Sequence, residues 1–100
     1  MAQWRKAVSV HEFRRSYLYC YRNKEIAIFR LEDGIYATDN SCTHEYSSLS
    51  EGEIVDGNVY CPKHGSRFDI RTGKVLDFPA TKSLKIYKTK IEDGFVYIYA

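Results

Sequence analysis

Hydrophobic and polar residues alternate over short runs along this chain, and no long stretch has a helical period. Eight runs rich in β-branched and aromatic residues read as strands: WRKAVS (4–9), SYLYCYR (16–22), EIAIFRL (25–31), GIYATD (34–39), NVYC (58–61), SRFDI (66–70), SLKIYKTK (83–90) and FVYIYA (95–100). The turn signals NK, EDG, DGN, RTGK and EDG fall between them at intervals that suit hairpins. The pattern predicts an all-β chain whose strands are mostly joined as antiparallel hairpins. One short helical turn is expected at residues 9–12, where Ser9 and Glu12 have capping-box spacing. In YLYCY the two-residue period puts Tyr17, Tyr19 and Tyr21 on one face and Leu18 and Cys20 on the other, and Cys20 is read as a buried apolar filler.

Length and composition narrow this picture. One hundred residues, 44% hydrophobic and 28% charged, suit a single domain spanning 1–100. No apolar run approaches the roughly 20 residues of a membrane-spanning helix, so no membrane association is expected. The opening MAQWRKAVSV has no continuous apolar core, so a signal peptide is not expected and a cytoplasmic location is the default. The formal net charge is +2, with basic and acidic residues interspersed, which disfavours nucleic acid as a partner. The carboxylate pairs Glu32–Asp33 and Glu92–Asp93 precede glycines and suit turns better than acid–base catalysis. Three cysteines are too few for a disulfide scaffold, so metal or redox chemistry is the better reading for two of them.

Those two stand in SCTHEYS (41–47) and CPKHGSRF (61–68), where Cys42 precedes His44 and Cys61 precedes His64. Two short loops, each offering a thiolate and an imidazole, form one candidate centre with donors suited to zinc or iron–sulfur chemistry rather than calcium or magnesium. Pro62 and Gly65 suit a tightly shaped second loop. A closed zinc site is one possibility, although common zinc motifs pair Cys with Cys and His with His. Placing Cys42 and Cys61 on one iron and His44 and His64 on a second is the Rieske arrangement, which suits the mixed loops better.

The boxes CTH (42–44) and CPKHG (61–65), with SRFDIRTGKVLDFPA (66–80), resemble those of Rieske proteins, and the whole length is similar to the small ferredoxins of bacterial aromatic-ring-hydroxylating dioxygenases. The resemblance implies a small Rieske-type β-sandwich with a cluster-binding subdomain. Its ligand loops would lie at about 40–48 and 60–69, covered by a proline-containing loop at about 77–81 that includes Pro79. It implies one Rieske 2Fe-2S cluster held by Cys42, His44, Cys61 and His64. Ser47 and Lys63 stand where some Rieske proteins carry a loop disulfide. Phe68 stands where a tyrosine hydroxyl often occurs, which points to the lower end of the roughly −150 to +300 mV Rieske range. Ser66 is a candidate donor to the cluster.

The implied role is that of a one-electron carrier rather than an enzyme. It would take electrons from a flavin or iron–sulfur ferredoxin reductase and pass them to a terminal Rieske oxygenase. The alternatives are a Rieske-like small subunit of a nitrite reductase or other oxidoreductase complex, and a zinc-binding module. Glu45, Tyr46, Lys63 and Arg67 flank the loops, as steering charges or as a solvated rim.

Overall fold

The computed structural model describes residues 1–43 and 47–100. Ten strands follow in order: β1 (Trp4–Ser9), β2 (Ser16–Tyr21), β3 (Lys24–Leu31), β4 (Gly34–Asp39), β5 (Ile54–Val55), β6 (Asn58–Tyr60), β7 (Arg67–Asp69), β8 (Ile86–Tyr87), β9 (Thr89–Glu92) and β10 (Phe95–Tyr99). A single 3-10 turn at Leu49–Glu51 precedes β5. The strands form three antiparallel sheets, in the orders β1-β10-β9, β2-β3-β4-β8 and β5-β6-β7. Two of the three Asp-Gly turns take the positive φ angles that a tight two-residue hairpin favours: Asp56 at 51° and Gly57 at 79°, Asp93 at 52° and Gly94 at 79°. No helix among the described residues is long and apolar enough to cross a membrane.

Strand β3 explains how the layers fit together. Its run Ile26-Ala27-Ile28-Phe29 is buried throughout, so it has an apolar surface on both faces. Ile26 and Ile28 pack with Val8, Ile35, Ala37, Val96 and Ile98 to form the core of the two larger sheets. Ala27 and Phe29 face the other way, into a second core with Leu49, Val59, Phe68, Ile70 and both Cys42 and Cys61. The cysteine loops therefore sit on a base sandwich through a shared central strand.

Three expectations need correction. Cys20 is exposed, not buried. Tyr17 pairs opposite Ile28 and Tyr19 opposite Ile26, so the tyrosines turn inward onto the base core, leaving Cys20 and Leu18 on the outside of an edge strand. The run 83–90 is not one strand. Ile86–Tyr87 pairs with β4 while Thr89–Glu92 pairs with β10, so the chain changes sheets at Lys88. Residues 9–12 form a turn instead of a helical turn: Glu12 N–H donates to the Ser9 carbonyl at 3.1 Å, and Ser9 Oγ accepts from His11 N–H at 3.2 Å. The short strand β5 has no counterpart in the sequence reading, because two residues are too few to show a period.

Candidate metal centre

The two cysteine loops are closed in the same way. Cys42 N–H donates to the Ser47 carbonyl at 3.1 Å, and Cys61 N–H donates to the Ser66 carbonyl at 2.7 Å, so in both the partner is the fifth residue along. The first loop springs from β4 and is pinned at its base by the Ser41–Ser48 bridge. The second connects β6 to β7 and is tightened by Gly65 N–H donating to the Cys61 carbonyl at 2.9 Å. Gly65 has φ 76°, and a Cβ there would meet nothing within 4 Å. The left-handed backbone itself favours glycine there.

Cys42 and Cys61 are 5% and 3% exposed, so their sulfurs point into the core instead of toward water. Their side chains meet, and Ser47 also reaches Cys61. Burial pushes the Cys61 thiol up, but the backbone N–H groups of His64 and Lys63 and the side chains of Cys42 and Ser47 outweigh it, so the net shift is downward. A loop that aims amide donors at a cysteine sulfur favours the thiolate, the form that binds metal. The donor set thus fits an iron–sulfur group. His64 is exposed beyond the cysteines, while His44, Glu45 and Tyr46 lie outside the described residues. Among the described residues no group of three His, Cys, Asp or Glu side chains converges as a metal site, so what is brought together is the cysteine pair.

The segment 77–81 packs beside this pair, with Ala80 in the same buried core. Its Phe78–Pro79 peptide is cis, and Phe78 is 83% exposed while Ala80 is buried. Ser66, fully buried, accepts a hydrogen bond from Ala80 N–H at 2.9 Å through its Oγ, which joins the second loop to this segment. Arg67 grips Asp77 at the start of this segment, with Nε to Oδ2 at 2.8 Å and Nη2 to Oδ1 at 3.4 Å. Thr43 Oγ1 donates to the Lys82 carbonyl at 2.6 Å, tying the first loop to the segment that follows. Arg67 is thus held by Asp77, which gives it a structural role that the sequence did not suggest. Phe68 is fully buried in the same core as both cysteines.

Because Ser66 Oγ accepts from Ala80, its own proton is left to donate. Ser66→Ala would remove that donor and leave the Ala80 N–H without its partner. The expected result is a loss of about 1–3 kcal/mol of stability, read from chemical denaturation, with the reduction potential moving down.

The sequence did not single out Asn40. It is fully buried at the root of the first loop. Its Oδ1 accepts from Ser50 N–H at 2.8 Å, and its Nδ2 donates to Ser48 Oγ at 2.9 Å and to Glu25 Oε1 at 3.4 Å. Its backbone accepts from Leu49 N–H and donates to the Glu25 carbonyl. A single asparagine thereby joins the loop base, the 3-10 turn and β3. The only hint in the sequence is an Asn next to the SCTH box.

Residues 3–88 match the family described as the Rieske 2Fe-2S domain. The chain is 49% identical over 70 residues to the ferredoxin component of the naphthalene 1,2-dioxygenase/salicylate 5-hydroxylase systems of a Ralstonia species, covering 70% of this chain and 67% of that one. Among solved structures, it is similar to the Sphingomonas yanoikuyae B1 ferredoxin, with a TM-score of 0.91 and 29% identity over 98% of this chain and 99% of that one. It is also similar to a chain in the complex of reduced oxygenase and oxidized ferredoxin in carbazole 1,9a-dioxygenase, with a TM-score of 0.90 and 29% identity, covering 96% and 92%.

Proposed function

The chain belongs to the Rieske 2Fe-2S domain family, and from that premise we propose that it is the ferredoxin of an aromatic-ring-hydroxylating dioxygenase system. Its cofactor is one Rieske 2Fe-2S cluster, which takes up and releases one electron. Residues 1–100 form one Rieske domain in this reading, with ligand loops at about 40–48 and 60–69 and a cover at about 77–81. Cys42 and Cys61 would hold one iron of the cluster as thiolates. His44 and His64 would hold the second iron through neutral imidazoles, and the exposed position of His64 supports an exit for the electron on that side. A cytoplasmic ferredoxin reductase supplies the electron, and a terminal Rieske oxygenase consumes it, performing the hydroxylation that this chain does not itself catalyse. The carbazole 1,9a-dioxygenase complex, in which a similar ferredoxin meets its oxygenase, supports that partner.

The observation that carries the reading is the buried Cys42–Cys61 pair with amide N–H groups aimed at the Cys61 sulfur. Fewer donors at the cysteines lower the potential, and the buried phenyl ring of Phe68 offers none, so a potential near the lower end of the Rieske range is expected. Iron and acid-labile sulfide should be present in equal amounts. Electron paramagnetic resonance of the anaerobically reduced protein should resolve couplings to two imidazole nitrogens. Zinc without labile sulfide, or a reduced cluster with no nitrogen coupling, would overturn the assignment.

A further inference from the structure

Arg5, Arg22, Lys24, Lys85 and Lys88 are dispersed along the sequence, yet the fold gathers them around one open groove of about 730 Å³. Two tyrosine rings support four of them. Arg5 and Arg22 Cζ lie 3.7 and 5.4 Å from the Tyr21 ring centre, and Lys24 and Lys85 Nζ lie 5.8 and 5.1 Å from that of Tyr87. Among the described residues no Asp or Glu lines this groove. The ion pairs formed by described residues, Arg67–Asp77, Arg71–Asp33 and Lys90–Glu92, lie elsewhere. Like charges held over aromatic faces repel one another, and an anionic surface relieves that repulsion. The interspersed charges of the sequence thus become a mainly cationic patch in three dimensions, with the terminal Ala100 also in its lining and its carbonyl accepting from Arg5 Nε at 3.0 Å.

The groove leads toward the cluster loops. An adjoining depression shares Asn23, Lys24, Lys85 and Tyr87 with it and reaches Ser41, the residue before Cys42. Two acids line that stretch, and both are engaged inward: Asp39 accepts from the Tyr87 hydroxyl at 2.6 Å, and Glu25 accepts from the Asn40 amide at 3.4 Å. Arg22, Lys24, Lys85 and Lys88 are exposed, while Arg5 is half-buried and donates through Nε to the Ala100 carbonyl at 3.0 Å; together they come from three separate regions of the chain, around residues 5, 22–24 and 85–88. That spread suits an extended acidic surface better than a single small anion.

We infer that this cationic groove is the docking face for an acidic protein that exchanges electrons through the adjacent cluster loops. The inference rests on the carrier function proposed above. Steering by such a patch raises the rate of encounter and is screened by salt.

Ferricytochrome b5, an acidic haem protein, is the probe, with basic ferricytochrome c as its opposite. In the reaction one electron leaves the reduced protein and converts one ferric haem to ferrous. Stopped-flow rates are measured for the reduced holoprotein, and calorimetric Kd values for the oxidised one. Lys24→Glu and Lys85→Glu should each weaken Kd and slow the rate with cytochrome b5 about tenfold at low ionic strength, with the loss vanishing in high salt. Neither should slow the reaction with cytochrome c. Arg14→Glu, which changes the net charge equally at an exposed site outside the groove, should leave both measurements with cytochrome b5 unaltered. Equal effects from all three variants, or none, with the paramagnetic spectrum intact would overturn the docking face and leave the carrier function standing. Competition by inorganic phosphate at matched ionic strength, lost in the lysine variants, would identify a small-anion site and overturn it as well. A preparation with no cluster spectrum would overturn both readings.

Discussion

His64→Cys is expected to lower the reduction potential by about 100–250 mV, the scale that separates low-potential Rieske centres from all-cysteine plant-type clusters. A neutral imidazole on the second iron gives way to a thiolate, so the reduced state carries one more negative charge and is disfavoured. The substitution suits the site sterically, because His64 is exposed and lies in a loop closed by backbone bonds that do not use its side chain. Potentiometric titration followed by paramagnetic resonance measures the shift, and the nitrogen couplings should fall from two to one. An unchanged potential with both couplings retained would remove His64 from the ligand set.

Asn40→Ala is expected to be strongly destabilising although it replaces no proposed ligand. The side chain is fully buried and satisfies Ser50 N–H, Ser48 Oγ and a Glu25 carboxylate oxygen at once. Alanine leaves the Ser50 amide without its acceptor and opens a small gap at the foot of the first loop. Together these cost about 2–3 kcal/mol, or a Tm lower by about 10–20 °C for a domain of this size. Circular dichroism melting checks the stability. Iron content after mild chelation checks the coupling, since a loosened loop base should shed the cluster faster than wild type. A variant that melts within 2–3 °C of wild type would deny Asn40 this role.

Much of the fold could be read from alternation alone. Trp4–Ser9 and Gly34–Asp39 coincide with their predicted runs because each lies between clear breaks in the pattern. The period of YLYCY was also read correctly, but a period does not say which face turns inward. Pairing with Ile26 and Ile28 decides that, and it sends Cys20 outward. The run 83–90 is uniformly strand-like, so nothing local marks where it leaves one sheet for another.

At the candidate centre the cysteines were legible because CTH and CPKHG are compact boxes, and the structure brings Cys42 and Cys61 together. Asn40 and the Arg67–Asp77 pair were not, since their importance comes from partners up to 15 residues away that only the fold brings near. The cationic groove was hidden for the same reason. Counted along the chain its lysines and arginines are diluted by acids, and only the sheet arrangement segregates them.

Strand β3 buries one face under the base sandwich and the other under the cysteine loops, with Ile26 and Ile28 in one core and Ala27 and Phe29 in the other. Neither half can swivel without exposing the opposite side of the same four residues, so no hinge is available between pedestal and tip. A fixed pedestal of this kind leaves the tunnelling gap to a redox partner to be set by the pose of the encounter.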